Sequence, residues 1–268
     1  MKPRSWYRAY LFDLDGTIYL GDHLLPSVQT ALARIRGRGI PVRFLSNNPT
    51  KSPADYLAKL NGLGLAAQPS EIVNTLVTTT SWLVEHRPGA KVFPIGEQPL
   101  ADALAAAGIE VTDDPAQIDI VLASYDRGFT YRKLQIAFDA LWFHKRAVLM
   151  STNPDRYCPF PGGRGEPDAA SIVAAIEACT GVTCERTFGK PSRQMLEVIM
   201  HDLGAPLDAA VMVGDRLMTD IAMARRAGMD AALVLTGDSR REEIEALPPE
   251  ERPTWVLEEL NDLLPDVG

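Results

Sequence analysis

The sequence predicts an α/β protein with a mostly parallel sheet, into which a second α/β segment is inserted. Two observations support this prediction. Short apolar strands alternate with amphipathic helical segments along the 268 residues, which is typical of parallel sheets with helices on both faces. In addition, more than 140 residues separate Ser46 from the GKPS stretch at 189–192, far more than a single helical crossover requires.

The hydrophobic pattern places the individual elements. The predicted core strands lie at 8–15, 41–48, 209–215 and 231–237, and the predicted core helices at 26–39, 71–86 and 219–228. The inserted segment shows its own alternation, with strands at 90–96, 118–125 and 147–153 and helices at 99–108, 131–144 and 168–181. We therefore predict a core domain of 1–82 and 187–268 and an inserted domain of 83–186. Residues from 249 onward are expected to form a loosely tethered tail.

Composition and charge exclude several classes of protein. The chain is 46% hydrophobic and 23% charged, which suits a soluble globular protein. A net charge of −8 argues against nucleic acid as a partner. The first residues lack the continuous apolar stretch that a signal peptide needs, and no later run is long enough to span a membrane, so we expect a cytoplasmic protein. The three cysteines lack CxxC spacing, which argues against a disulfide framework or a structural zinc site.

Polar residues follow three of the predicted core strands at their carboxyl ends. These are DLD at 13–15, SNN at 46–48 and GD at 214–215. In open α/β sheets ligands bind outside the carboxyl ends of the strands, so these segments are expected to meet in one crevice.

Asp13 and Asp15 lie at the end of the first strand, and the alternation of a strand would point both side chains to the same side. Two adjacent carboxylates are costly unless a positive charge lies between them. A calcium loop is excluded because Ile18 and Leu24 occupy the positions where it needs Gly and Glu. The remaining interpretations are a Mg²⁺ site and a plain acidic turn.

Three further motifs each have an ordinary structural interpretation. Asp215 and Asp220 in GDRLMTD suit a metal site or a helix start. Ser46, Asn47 and Asn48 suit an anion site or a capped turn. The GKPS stretch lacks the spacing of a nucleotide-binding P-loop, so Lys190 is either a point charge for phosphate or carboxylates or a solvated surface residue.

Taken together and in this order, the motifs DxDGT, Ser46, Lys190 and GDxxxxD resemble the haloacid dehalogenase (HAD) superfamily along the whole chain. The insertion between the Ser and Lys motifs resembles the branch with a C2-type cap. TNPD at 152–155 and GDRxxTDI at 214–221 are similar to the NagD-like, p-nitrophenyl phosphatase subfamily. The resemblance implies a Rossmann-like core, an α/β cap and a Mg²⁺-dependent phosphatase that acts on a small phosphorylated metabolite.

The resemblance also implies roles for individual residues. Asp13 would be the nucleophile that forms an aspartyl-phosphate, and Asp15 the general acid and base. Mg²⁺ would be held by the Asp13 carboxylate, the Asp15 backbone carbonyl and Asp215. Asp220 would act through a water molecule or by positioning Lys190.

The transferring phosphoryl group would be bound by a second set of residues. The resemblance implies Ser46, Asn47, Asn48 and Lys190 for this task, because the spread negative charge of the phosphoryl oxygens requires donors and a cation.

The segment 156–171 of the insertion is the expected specificity element, since a cap closing over the crevice would meet the leaving group. Arg164, Glu166 and Asp168 lie on it. The two acids would suit the hydroxyls of a sugar or polyol phosphate or a cationic group, whereas in the alternative interpretation they cap the next helix. A nucleoside monophosphate or pyridoxal phosphate also stays open as substrate.

Two functions from other classes stay open at this stage. A phosphoaspartyl signalling receiver uses a similar residue set, but it has neither an inserted domain nor an aspartate two residues after the phosphorylated one. A non-catalytic binding relative would not need every catalytic position to be filled. The sequence leaves homo-oligomerisation open.

Overall fold

The computed structural model describes residues 3–160 and 163–266. These residues form two compact units. The first comprises the described parts of Met1–Ser46, Pro53–Val73 and Lys190–Gly268, and the second comprises Asn47–Ser52 and the described part of Asn74–Gly189.

The first unit is built on a six-stranded sheet of order β14-β13-β12-β1-β4-β5. The strands, in chain order, are β1 (Ala9–Asp13), β4 (Val42–Ser46), β5 (Ile72–Asn74), β12 (Ala210–Gly214), β13 (Asp230–Val234) and β14 (Trp255–Leu257). The pairs of β1 with β4 and with β12, and of β13 with β12 and with β14, are all parallel. Every residue of β1, β4 and β12 is buried, as expected for central strands of a sheet covered on both faces. A short hairpin, β2 (Tyr19–Leu20) and β3 (His23–Leu24), follows β1.

Amphipathic helices cover this sheet. They are α1 (Val28–Arg36), α2 (Pro53–Gly62), α7 (Gln194–Leu203), α8 (Ala222–Arg226) and α9 (Arg241–Ala246). In α1 the buried residues Val28, Ala31, Leu32 and Ile35 recur with the spacing of one helix face, and Gly37 caps the end. A π-helical turn at Leu217–Ile221 leads into α8, so the predicted helix at 219–228 begins with a wider turn than an α-helix has.

The second unit has a parallel sheet of its own, of order β11-β8-β7-β6. Its strands are β6 (Val92–Ile95), β7 (Ile120–Ala123), β8 (Val148–Ser151) and β11 (Arg186–Thr187), and an antiparallel hairpin is formed by β9 (Tyr157–Phe160) and β10 (Arg164–Pro167). Its helices are α3 (Thr75–His86), α4 (Gln98–Ala106), α5 (Tyr131–Phe138), which continues as a π-helix at Asp139–Phe143, and α6 (Ala169–Thr180). The fold class is therefore α/β with mostly parallel sheets, as predicted.

The second unit is longer than the insertion of 83–186 expected from the sequence, and contains it. It extends from Asn74 to Gly189 because α3 packs with this unit, where its side chains Leu76 and Trp82 lie in one apolar cluster with Phe188. The strand β5 directly before α3 was missed, because a short apolar run running into a helix reads as part of that helix.

The expectation of a loosely tethered C-terminal tail is wrong. Trp255–Leu257 forms the edge strand β14, and a 3₁₀ turn follows at Leu260–Leu263. Leu257, Leu260, Leu263 and Leu264 are buried in the main core of the first unit. The prediction failed because the polar residues at 249–252 dominate the pattern of this segment. The leucines that follow them anchor the segment to the sheet.

Within the described ranges, no helix combines the length and the apolar character that a transmembrane span needs.

Candidate active site

The polar side chains at the carboxyl edge of the first unit's sheet come from neighbouring strands. Asp13 ends β1, and Asp215 follows β12 directly. Because Phe12 pairs with Val213 in the parallel register, the two acids leave the sheet at the same edge. Ser46 ends β4 on the other side of β1, where Asp13 pairs with Leu45.

Lys190 connects the carboxylates of Asp13 and Asp220. Its Nζ donates hydrogen bonds to Asp13 Oδ1 and, at 2.7 Å, to Asp220 Oδ1, and all three residues are buried. Although burial alone would lower the pKa of Lys190, the charges of Asp13 and Asp220 raise it, so the ammonium stays protonated. The second oxygen of Asp220 accepts a hydrogen bond from the Arg216 amide at 3.2 Å. Asp220 is therefore fixed by the backbone on one side and holds the Lys190 ammonium on the other.

None of the described lysine or arginine side chains forms a hydrogen bond with Asp215. Its Oδ2 accepts a hydrogen bond from the Asp238 amide at 2.8 Å, while its buried Oδ1 has no partner among the described residues. Burial, followed by the nearby charge of Asp13, raises the pKa of Asp215. An unpaired buried carboxylate oxygen is costly, and a bound cation would satisfy it.

Oxygen atoms of Asp13, Asp215 and Asp220 lie within 4.8 Å of one another, forming a candidate metal cluster among the residues that the structure describes. Carboxylate oxygens are the ligands that Mg²⁺ prefers. In the structure, the carboxylate of Asp13 is thus grouped with those of Asp215 and Asp220. The strand pattern of the sequence had instead paired it with the carboxylate of Asp15. The family resemblance assigned only the backbone carbonyl of Asp15 to the metal.

Two glycines allow Asp215 to approach the loops beside it. A Cβ at Gly16, which has φ +82°, would lie 2.5 Å from Asp215 Oδ2, and a Cβ at Gly237 would lie 2.0 Å from the same atom. The Gly of the DxDGT motif therefore combines a left-handed turn with the close approach of an acid.

Asp15 lies beyond the strand, which ends at Asp13, so the alternation of side chains does not extend to it. Its carboxylate is exposed, and Oδ2 accepts a hydrogen bond from the hydroxyl of buried Tyr19 at 3.3 Å. The side chain of Asp15 is therefore accessible to solvent, whereas those of Asp13, Asp215 and Asp220 are buried.

Ser46, Asn47 and Asn48, which were expected to bind phosphate, each have a different hydrogen-bond partner. Buried Ser46 shares a 2.8 Å hydrogen bond between its Oγ and the hydroxyl of Tyr56, a residue of α2. Asn47 and Asn48 belong to the second unit. There, Asn47 donates to Asp155 at 2.9 Å, and the side-chain oxygen of Asn48 accepts from the Thr50 amide at 2.8 Å.

The three candidate specificity residues differ in their contacts within the second unit. Asp168 is buried as the N-cap of α6, where its Oδ1 accepts hydrogen bonds from the Ala169 amide at 2.6 Å and from Asn153 at 3.1 Å. These contacts favour the capping interpretation for Asp168.

Glu166 and Arg164 lie on β10. Glu166 accepts a hydrogen bond from the hydroxyl of buried Tyr125, and Arg164 is exposed opposite Phe160. Positions 161 and 162 of the expected specificity segment lie outside the described residues.

Sequence reasoning missed several residues that support the site. Asp238 and Thr236 follow β13, and Thr236 Oγ1 donates to the Gly16 carbonyl at 2.7 Å. The polar stretch TGDS at 236–239 could have revealed them. It follows β13 in the same way as polar residues follow the other three predicted core strands. Tyr19 and Tyr56 gave no such signal, because a tyrosine near an apolar run looks like an ordinary core residue.

Comparison with known proteins agrees with this arrangement. The family model described as haloacid dehalogenase-like hydrolase matches residues 10–110, and a second HAD-like hydrolase model matches residues 187–263. The acid sugar phosphatase of Staphylococcus aureus is 33% identical over 264 residues, which cover 97% of this chain and 98% of that protein.

Solved structures are similar over nearly the whole chain. The 4-nitrophenylphosphatase of Thermotoga maritima has a TM-score of 0.89 and 31% identity, covering 96% of this chain and 95% of its own. NagD of Escherichia coli has a TM-score of 0.86 at 25% identity, with 96% and 98% covered. The glycerol phosphate phosphatase of Mycobacterium tuberculosis, solved with magnesium, has a TM-score of 0.85 at 29% identity, with 96% and 77% covered. The chain therefore belongs to the haloacid dehalogenase-like hydrolases and is a phosphatase of their NagD-like group.

Proposed function

We propose that this phosphatase is Mg²⁺-dependent and hydrolyses a small phosphorylated metabolite through an aspartyl-phosphate formed on Asp13. The observation that carries the proposal is the buried group of Asp13, Asp215 and Asp220 beside Lys190, in which Asp215 Oδ1 has no hydrogen-bond partner within residues 3–160 and 163–266. Three carboxylates and one ammonium would repel a phosphate ester unless a cation is added.

The donor set fits Mg²⁺. Asp13, Asp215 and the Asp15 backbone carbonyl would hold the ion, which when bound would neutralise the carboxylates and withdraw charge from the phosphoryl oxygens. The magnesium in the M. tuberculosis relative supports this choice of metal. Asp220 would contribute by positioning Lys190, since both of its oxygens accept hydrogen bonds from protein groups.

The chemistry follows from the positions of the two aspartates. An oxygen of Asp13 attacks phosphorus, the bond from phosphorus to the ester oxygen breaks, and Asp15 gives its proton to the leaving oxygen. Asp15 then takes a proton from water, which attacks phosphorus and releases inorganic phosphate and the Asp13 carboxylate. Lys190 and the Ser46 hydroxyl would bind the phosphoryl oxygens. For Asn47 and Asn48 the same role stays a prediction from the family resemblance.

The substrate class is a small phosphate ester of the sugar, polyol or nucleoside monophosphate type. The names of the S. aureus and M. tuberculosis relatives support a sugar or polyol phosphate. We further propose that Glu166 affects the choice among such esters, because in the part of the chain that the structure describes its side chain accepts a hydrogen bond at Oε2, from Tyr125, and none at Oε1. A panel of phosphorylated metabolites tests the substrate class, with Glu166→Gln compared against the wild type on each ester.

Metal removal tests the cofactor. Hydrolysis of p-nitrophenyl phosphate should be lost in excess EDTA and restored by added Mg²⁺, because without the ion the carboxylates repel the substrate. Full turnover in EDTA would show that the metal assignment is wrong.

Substitution of the two aspartates tests the mechanism. Asp13→Asn should abolish turnover because the nucleophile is gone, and Asp15→Asn should reduce it by roughly 10²–10⁴ because an acid and base is lost. Asp113→Asn, at a side chain that is 72% exposed, serves as the control and should leave activity unchanged. Near-normal activity of Asp13→Asn would refute the covalent mechanism. A receiver domain would instead accept the phosphoryl group without repeated turnover. A non-catalytic binding relative would show neither phosphorylation nor turnover.

A further inference from the structure

A buried tyrosine lies beneath the exposed carboxylate of Asp15. Tyr19 is 0% exposed, and its hydroxyl lies 3.3 Å from Asp15 Oδ2. The backbone closes the loop between them, since the Gly16 amide donates to the Tyr19 carbonyl at 2.8 Å. The hydrogen bond is long, as catalytic hydrogen bonds often are before substrate binds.

The ring of Tyr19 is held in place by its surroundings. It belongs to the main apolar core of the first unit, together with Leu14 and Ile18 from the same loop. Nζ of Lys59, on α2, lies 3.7 Å from the centroid of the ring, a cation–π contact that packs the helix against it. The core therefore sets the position of the hydroxyl, and Asp15 adapts to it.

We infer that Tyr19 is a positioning residue that orients the Asp15 carboxyl for proton transfer. This inference rests on the proposed function, in which Asp15 protonates the leaving oxygen as Asp13 attacks phosphorus and later takes a proton from the attacking water. A tyrosine hydroxyl is protonated at neutral pH and donates to the carboxylate oxygen nearest to it. With Oδ2 held by Tyr19, Oδ1 is the oxygen that carries the proton to and from the reacting groups.

An exposed carboxyl without this contact would sample several rotamers. Only a fraction of these would place Oδ1 at the leaving oxygen, and a small misplacement of a catalytic group lowers the rate strongly. The loss should appear only in steps that need the proton. This separates positioning from a general contribution to folding.

The test is Tyr19→Phe, which removes the hydroxyl and keeps the ring over which Lys59 packs. Two esters are compared by kcat/KM, which reports the steps up to formation of the aspartyl-phosphate. Glycerol phosphate releases an alkoxide that must be protonated, whereas p-nitrophenyl phosphate releases a stable anion. We expect kcat/KM to fall about tenfold for glycerol phosphate and less than about twofold for p-nitrophenyl phosphate.

Two comparisons make the test specific. In an Asp15→Asn background, Tyr19→Phe should have no further effect on kcat/KM, because the group it positions is gone. Tyr10→Phe serves as the matched control, since Tyr10 is also buried and its hydroxyl accepts a hydrogen bond from the Tyr7 amide at 3.4 Å, away from Asp15. It should leave the ratio of the two kcat/KM values unchanged.

Equal losses on both esters, or an undiminished effect of Tyr19→Phe in the Asp15→Asn background, would overturn the inference. In either case, the proposed function would still hold if the activity of the wild-type enzyme depends on Asp13 and Mg²⁺. Turnover that survives Asp13→Asn would overturn the proposed function instead, and the inference with it.

Discussion

The carboxylate of Asp168 combines deep burial with two hydrogen bonds. Burial is the largest influence and raises its pKa to about 6, while the hydrogen bonds from Ala169 and Asn153 act in the opposite direction and the nearby charge of Asp155 adds to the rise. In the unfolded chain the carboxyl titrates near its ordinary value of about 3.9. The folded protein therefore holds this proton more tightly than the unfolded chain does.

The sign of the pH dependence follows from linkage. Between about pH 4 and pH 6 the folded state binds more protons at this position, so the contribution of Asp168 to the free energy of unfolding falls as the pH rises. The contribution is fully present below the unfolded pKa and is lost above the folded one. The difference between the folded and the unfolded pKa of Asp168 corresponds to about 2–3 kcal/mol in the free energy of unfolding.

Asp168→Asn should remove this dependence while keeping the helix cap, since Asn and Asp are equally good at the N-cap. Denaturant unfolding of both proteins at pH 4, 5, 6 and 7 provides the measurement. The wild type should lose stability relative to Asp168→Asn as the pH rises, and Asp113→Asn should follow the wild type. If the stabilities of the wild type and Asp168→Asn run parallel across this range, the buried carboxyl does not titrate as described.

At the scale of elements, the strand β12 and the π-helical turn after it place Asp220 over the strand end. Gly214 is the last residue of β12, and a Cβ there would lie 2.3 Å from Cβ and Cγ of Asp220. The glycine thus permits the turn to fold back and bring Asp220 to Lys190. The wider π turn is the local deviation that the helical pattern of the sequence did not indicate.

Gly214→Ala should therefore displace Asp220 and weaken its support of Lys190. We expect a loss of about 1–3 kcal/mol in the free energy of unfolding from overpacking, and a fall in kcat/KM of about tenfold or more. Gly62→Ala is the matched control, because Gly62 ends α2 and an added Cβ meets nothing within 4 Å. It should be neutral or stabilise the protein by about 0.5–1 kcal/mol. A Gly214→Ala variant with wild-type activity would show that the position of Asp220 tolerates displacement.

At the scale of the whole molecule, the chain's last segment completes the core of the first unit. β14 is an edge strand of the sheet, and Leu263, in the 3₁₀ turn after it, is 0% exposed. Trp255 secures the segment further, because its Nε1 donates to the hydroxyl of Tyr7 at 2.8 Å. The segment contributes to stability in the same way as any internal element.

Leu263→Ala should accordingly cost about 2–5 kcal/mol in the free energy of unfolding, the usual range for a leucine truncated in a packed core. Leu20→Ala is the control, because Leu20 is 61% exposed and loses little buried surface. Denaturant unfolding of the two variants measures the difference. Equal and small effects would mean that the C-terminal segment is as weakly attached as its sequence suggested.

Local patterns determined the α/β class and the order of the motifs. Strand ends can be recognised where an apolar run meets polar residues, and parallel strands present their carboxyl ends at one edge, so Asp13, Ser46 and Asp215 could be assigned to the same edge of the sheet. These inferences need only the period of the pattern and a rule of topology. Residue roles came from the resemblance to a family rather than from spacing.

Only the tertiary structure decided which side chains meet. Lys190 lies 177 positions from Asp13 and 30 from Asp220, and nothing local distinguishes it from a solvated lysine. The hydroxyl of Tyr19 beneath Asp15, the burial of Asp168 as a helix cap and the packing of Leu263 in the core are equally hidden in the sequence. Burial and pairing depend on what the rest of the chain places around a residue, and the one-dimensional pattern does not carry that information.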